Sequence, residues 1–394
     1  MNYDKYISTV LQEIPPSGIR KFFDIASEMD DVISLGVGEP DFNTPWNICE
    51  TAIYAIETGK THYTSNHGTT VLREEIAGYL NDRFNLQYDI NQIVVTVGAS
   101  EALDIAFRAV INPGDEVLVP APSYVSYMPG VKLAGGEAVP VLTVAENEFK
   151  YTAEVLKSAI TPKTKALIIP FPNNPTGGIM TKEELAGIIE VIKENDLIVI
   201  SDEIYSELTY DGKHTSIASL PGMKERTIVI NGFSKAFAMT GWRLGYVAAP
   251  LPLTQAMVKI HQYAILCAPS AAQEAGVEAL RTERRNGYKQ VKAMVNQYDY
   301  RRRYIYEALN AIGLTCFEPK GAFYMFPDIR VSGLSSDEFC ERLVKEKKVA
   351  CVPGTAFGEG GEGFMRCSYA SSMENLKEAI KRITEFLKEN GWLY

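Results

Sequence analysis

Four consecutive β-branched residues, Thr227-Ile228-Val229-Ile230, read as a buried strand. The chain passes straight from it into Asn231–Tyr246, N-G-F-S-K-A-F-A-M-T-G-W-R-L-G-Y. Gly232 is expected to end the strand and let the backbone turn. Lys235 follows among Phe233, Ala236, Phe237, Ala238 and Met239. An amine in apolar surroundings is costly to keep protonated, so its pKa falls and it can attack a carbonyl. Arg243 stands between Gly241 and Gly245. The glycines let a phosphate approach, and a guanidinium binds phosphate through two hydrogen bonds.

A reactive lysine beside a phosphate-binding arginine points to pyridoxal 5'-phosphate, an aldehyde with a phosphate handle. The full spacing, G-F-S-K-x-x-A-M-x-G-x-R-L-G, resembles the attachment motif of class I and II aminotransferases.

The remaining chemistry-bearing segments follow strands or loops. Residues 93–97 read as a strand, followed by Gly98-Ala99-Ser100 and a helix over 101–111. A small-residue turn at a helix N-terminus offers free N–H groups and a favourable dipole to an anion. Residues 116–120 form the next apolar run, and Tyr124 lies just past its end, where α/β sheets place their ligands. A strand at 165–170 leads into P-N-N-P-T-G-G at 172–178, with Asn174 as a neutral amide donor. Thr181 and Glu184 carry the capping-box spacing for a helix. The apolar strand at 197–200 runs into S-D-E-I-Y. A carboxylate such as Asp202 at the end of a buried strand needs a partner. A protonated pyridine nitrogen is one such partner, and a helix N-cap is the ordinary alternative. Tyr205 follows three residues later, on the same side of a helical turn.

Early in the chain, L-G-V-G-E-P-D-F-N-T-P at 35–45 is a loop of fixed geometry. Helices are expected over 46–58 and 70–84, with the polar turn H-Y-T-S-N-H-G between them. Late in the chain, 281–312 reads as one long, charge-rich helix, and a domain boundary is expected in its first turns. Beyond it, 314–317, 321–326 and 349–353 read as strands, with helices over 337–347 and 374–390. G-E-G-G-E-G at 358–363 has dinucleotide-loop spacing, but a strand-like F-M-R-C-S-Y-A follows it instead of a helix. Arg366 in that strand suits a substrate α-carboxylate.

Composition narrows the class. A chain of 394 residues exceeds one compact core, so two domains are expected. A formal net charge of −10 disfavours nucleic acid and anionic membranes as partners. Six scattered cysteines fit a reducing compartment, and no signal pattern or membrane-spanning run is visible, so a cytoplasmic location is expected. The four histidines lack metal-ligand spacing, and no metal is expected.

Taken together, the segments resemble a class I aminotransferase of fold type I, in family order over nearly the whole chain. The resemblance implies an α/β fold: a large domain, 48–285, with a mostly parallel sheet flanked by helices, and a smaller α+β domain from 1–47 and 286–394. It implies a homodimer with shared sites, acting on amino acids and 2-oxo acids. Lys235 would hold the cofactor through an imine and move protons, with Asp202 on the ring nitrogen and Tyr205 beside the phenolic oxygen. Ala99, Ser100, Tyr124, Asn174, Ser234 and Arg243 would complete the cofactor contacts, and Tyr63 would reach the neighbouring chain's cofactor phosphate. Gly38, Asn174 and Arg366 would meet the substrate. Two departures stand out. Gly232 replaces a Ser or Thr that serves as a phosphate donor in some relatives. The stretch 266–272 lacks the arginine that some aspartate-specific relatives carry, which argues against strict dicarboxylate specificity; an aromatic, aspartate-like or broad amino-acid range, with a 2-oxo acid such as 2-oxoglutarate, is expected. A β-lyase acting on cysteine conjugates is the alternative chemistry. A transaminase-like regulator would need a DNA-binding domain, for which the region before the glycine loop is short.

Overall fold

The apolar runs at 93–97, 116–120, 165–170, 197–200 and 227–230 become strands of one sheet. The computed structural model of the chain describes residues 1, 3–16, 18–19 and 29–393. Residues 14–24 read in sequence as an extended arm running into a short helix; of 17–28 only residues 18 and 19 are described, so most of that expectation lies outside the described residues. A two-residue strand, Ile33–Ser34 (β1), precedes the main sheet. That sheet contains Ile93–Thr96 (β2), Glu116–Ala121 (β3), Glu137–Leu142 (β4), Thr164–Ile169 (β5), Ile198–Asp202 (β6), Thr227–Gly232 (β7) and Gly245–Ala248 (β8). Their order is β2-β8-β7-β6-β5-β3-β4, and β8 alone runs antiparallel to its neighbours.

Period-two alternation explains why both faces are covered. Ile228 and Ile230 enter one apolar cluster with the helices Gly98–Val110 and Leu251–Ala264. Val229 enters another with Thr70–Phe84 and Ser270–Asn286. The capping box at Thr181 and Glu184 opens Lys182–Glu194, whose buried side chains pack under β5 and β6. The last third adds Tyr324–Met325 (β9), Val349–Ala350 (β10), Val352–Pro353 (β11) and Met365–Ser368 (β12). β10 pairs with β1, while β11, β12 and β9 form a three-stranded sheet. A separate apolar cluster lies here, built largely from residues after 293 with Leu35, Tyr205 and Leu208.

Several expectations need correction. The helix read over 281–312 is two helices, Ser270–Asn286 and Lys289–Ala311. Gly287 and Tyr288 both adopt positive φ, 70° and 62°, and break it. The buried Glu283 carboxylate then accepts the N–H groups of Gln290 and Val291 at the start of the second helix. Residues 314–317 form no ladder. Strand β4 went unread because its edge position leaves Glu137 and Leu142 exposed, blurring the apolar pattern. Gly232 ends β7 from inside it, paired with Gly245. The helix after β2 starts at Gly98, three residues before the expected 101.

The antiparallel insertion of β8 fixes the sheet's functional edge. Its first residue lies level with the last residues of β2 and β7, through Thr96–Gly245 and Gly232–Gly245 pairs. A Cβ on Gly245 would sit 2.5 Å from the Gly98 carbonyl carbon and 2.6 Å from the Ala99 nitrogen. Backbone cannot yield as a flexible side chain can, so Gly245→Ala is expected to destabilise the chain by about 1–3 kcal/mol. Urea unfolding of the variant checks this.

Candidate active site

Five strand ends, the 35–45 loop and strands β9 and β12 meet at one cavity of about 490 Å³. Its wall includes Gly38, Ala99, Ser100, Tyr124, Asn174, Asp202, Tyr205, Ser234, Lys235, Arg243 and Arg366. Eleven of the twelve residues singled out in the sequence are thus brought together. Tyr63 is not among them; it is 84% exposed on the surface.

Topology explains the convergence. Parallel strands β2, β3, β5, β6 and β7 end on one edge, delivering Asp202 as the last residue of β6 and Ala99, Tyr124, Asn174 and Lys235 from the segments that follow the others. Arg243 precedes β8, and because β8 runs the other way, its beginning lies at that same edge. Arg243 holds φ 51°, a left-handed conformation costing about 1–2 kcal/mol for an L residue. Its guanidinium lies against Gly98, where an added Cβ would come within 2.6 Å of Nη2. The guanidinium and the first N–H groups of Gly98–Val110 therefore face one spot, with Ser100 and Ser234 beside it. Gly232 has a packing reason: a Cβ there would stand 3.0 Å from both the Gly245 Cα and the Leu244 carbonyl oxygen. A Ser or Thr at this position would crowd β8.

Lys235 Nζ donates to the Gly38 carbonyl oxygen at 2.5 Å. Burial lowers its pKa to about 8; Arg366 and Arg243 push the same way, and Glu39 opposes them. Phe233, Ala236, Phe237 and Met239, the apolar neighbours in sequence, pack into the cluster beneath the sheet, and the rings near Nζ are those of Tyr205 and Phe323, 5.5 and 5.7 Å away.

Asp202 is the last residue of β6, not a helix N-cap; no helix follows it directly. Burial pushes its carboxyl up to about 6, while a hydrogen bond from the Tyr127 hydroxyl at 2.9 Å and one from the Ile204 N–H at 3.2 Å oppose the rise. Tyr127 is a site residue that the sequence reading passed over. Only its place in A-P-S-Y-V-S-Y, three residues past Tyr124, signalled it. Tyr324 is a second: its hydroxyl is 2.6 Å from that of Tyr205.

Arg366 is 2% exposed. It donates to Asn174 Oδ1 at 2.9 Å and to the Gly36 carbonyl oxygen. Its guanidinium carbon lies 4.6 Å from the Tyr324 ring centroid and 4.9 Å from that of Phe357. No carboxylate pairs with it among the described residues, and its Nε has no hydrogen-bond partner. A buried cation so arranged is set up to receive an anion. Gly38 keeps the approach open, since a Cβ there would meet the Tyr324 hydroxyl at 2.8 Å.

The sequence matches the family described as aminotransferase class I and II over residues 30–383. The chain belongs to that family. It is 56% identical to the putative aminotransferase YugH of Bacillus subtilis, over 97% of this chain and 98% of that one. It is 51% identical to an aspartate aminotransferase of Pyrococcus abyssi, with the same coverage. The crystal structure of an aromatic aminotransferase from Pyrococcus horikoshii superposes with a TM-score of 0.90 at 48% identity, covering 94% of this chain and 100% of that one. The fold is that of fold-type I aminotransferases, and the protein is a pyridoxal-phosphate-dependent transaminase.

The donor set suits that cofactor. The cavity offers an amine for an aldehyde, a guanidinium and helix N–H groups for a phosphate, and a carboxyl for a ring nitrogen. Neither the helix N-terminus nor the Gly98–Gly245 contact leaves room for side chains that would fill the phosphate end.

Asp202 gives a pH signature in the cofactor-free chain. Its folded-state value lies above the ordinary 3.8, so its contribution to stability is present below about 4 and lost as pH rises through about 6. Asp202→Asn is expected to flatten that part of the thermal-stability profile. Tyr127→Phe removes a hydrogen bond to the anion and moves the loss upward by about one pH unit. Calorimetry between pH 4 and 8 checks both.

Proposed function

We propose that this transaminase moves an amino group between an L-amino acid of aromatic or broad range and a 2-oxo acid such as 2-oxoglutarate, in two half-reactions. The observation that carries the reading is Lys235 and Arg366 on the wall of one cavity, an amine of lowered pKa facing a buried guanidinium without a carboxylate. In this reading Arg366 and Asn174 hold the substrate α-carboxylate, with Gly38 against it. The phosphate of the cofactor rests on Ala99, Ser100, Ser234 and Arg243. Tyr124 covers its ring, Asp202 faces its nitrogen, and Asn174 and Tyr205 face its phenolic oxygen. Bound there, pyridoxal phosphate supplies an electron sink for the pair released when the substrate Cα–H bond breaks. Lys235 Nζ is the base that accepts the Cα proton and the acid that returns it. Asp202 in its ionised form would keep a positive charge on the facing nitrogen, each charge favouring the other.

The substrate range rests on two features: 266–272 carries no basic residue, and the cavity wall includes Tyr124, Tyr205, Tyr324, Leu103 and Ile204. A panel of amino donors with 2-oxoglutarate, scored for transfer and for ammonia and pyruvate release, tests range and reaction type together. Lys235→Ala is expected to abolish transfer while the protein still retains cofactor. Arg366→Ala is expected to lower kcat/KM by about 10- to 100-fold, chiefly through KM, from loss of a charged hydrogen-bonded pair. Full activity in Lys235→Ala would sink the assignment.

A division into domains at 48–285 and 1–47 with 286–394 is supported by an apolar cluster built largely from residues after 293, separate from the clusters on the two faces of the main sheet. A cytoplasmic location is supported by six free thiols. No helix among the described residues is long and apolar enough to cross a membrane. A homodimer is supported by the exposed Trp46, Ile53 and Tyr54 on one helix, with Tyr63 and Tyr263 also exposed. Tyr63 then serves the partner's cofactor phosphate. Sedimentation is expected to give twice the chain mass, and mixing inactive Lys235→Ala chains with a weakened Tyr63→Ala variant is expected to restore activity through hybrid dimers.

A further inference from the structure

Tyr205 and Tyr324 come from different parts of the fold, the loop after β6 and strand β9, yet their hydroxyls are 2.6 Å apart. Both side chains are buried, with Tyr324 at 0% exposure. Each phenol has one proton, so one of them must donate to the other. The direction follows from their surroundings. The Arg366 guanidinium sits over the Tyr324 ring, 4.6 Å from its centroid. A cation at that distance makes the Tyr324 hydroxyl the stronger acid of the pair and hence the better donor. Burial and the neighbouring Tyr324 hydroxyl hold Tyr205 well above the ordinary tyrosine range; Arg366 opposes burial at both hydroxyls, but at Tyr324 it is the largest opposing effect and at Tyr205 it ranks behind those of Tyr324.

We propose that Tyr324 is a positioning residue: it donates its hydroxyl proton to the Tyr205 oxygen, so that the single proton of Tyr205 is committed to the cavity and the cofactor's phenolic oxygen. The inference rests on the reading of Tyr205 given under Proposed function. An O–H that accepts a hydrogen bond is polarised and donates more strongly. The same Tyr324 ring supports Arg366, and its hydroxyl closes on Gly38. One side chain therefore links the groups that meet the cofactor oxygen and the substrate carboxylate.

The test is a double-mutant cycle on the holoenzyme, read from the pH midpoint of the bound cofactor's visible absorption. A donor to the phenolic oxygen stabilises its anionic form, so loss of that donor raises the midpoint. Tyr205→Phe is expected to raise it by about one unit or more. Tyr324→Phe keeps the ring under Arg366 and removes only the hydroxyl. It is expected to raise the midpoint by a few tenths of a unit. The double variant is expected to match Tyr205→Phe alone, because Tyr324 then has nothing to polarise. An unchanged midpoint in Tyr324→Phe, or shifts that add in the double variant, overturns the proposal while leaving the role of Tyr205 intact. An unchanged midpoint in Tyr205→Phe overturns the assignment of Tyr205 itself, and the proposal with it. Unaltered unfolding midpoints in each variant separate these outcomes from misfolding.

Discussion

The contact on which the site depends is the approach of Gly245 to the backbone of Gly98 and Ala99. It is possible only because neither strand β8 nor the helix start carries a side chain there. The contact sets an antiparallel strand between β2 and β7 in an otherwise parallel sheet. The reversal puts the beginning of β8 beside the ends of its neighbours. A guanidinium thereby reaches a helix N-terminus from a residue nearly 150 positions further along the chain, with no long loop to order. Gly232, pressed on Gly245, is part of the same packing.

Around that edge the molecule buries charge that it does not neutralise internally. Asp202 has hydrogen-bond donors but, among the described residues, no basic partner in contact, and burial drives its carboxyl up. Lys235 is driven down by the same desolvation. Arg366 is held by an amide oxygen, a carbonyl and two aromatic rings instead of a carboxylate. A core assembled for stability alone would pair or replace such groups. In the function proposed above, each one would meet a complementary feature of the cofactor or of an amino-acid substrate. Glu207, by contrast, takes both Arg83 and the Tyr79 hydroxyl.

The sequence made strands and their terminal residues legible because buried runs of Val and Ile have few alternatives. Asp202 was legible for the same reason, since a carboxylate directly beside such a run needs a partner, while Lys235 and Arg243 were legible from the apolar residues and glycines around them and their spacing. Tyr127 and Tyr324 were not. A tyrosine in a chain with 21 of them carries no local mark, and their importance lies in a partner far away in sequence. The long helix was over-read because charge and helical spacing continue through 281–312, whereas the left-handed pair Gly287 and Tyr288 ends it. Glycine at that position was the available signal.

What the amino-acid order alone determined was the list of chemical parts: a desolvated amine, a strand-end carboxyl, an anion-binding helix start and two arginines. Short-range physics suffices for these, since burial, turn formation and helix capping act over a few residues. The tertiary structure decided which parts share a cavity, which way β8 runs, and which tyrosine touches which. Those outcomes depend on contacts between residues more than a hundred positions apart, and only the closed packing of the sheet and its covering helices selects among them.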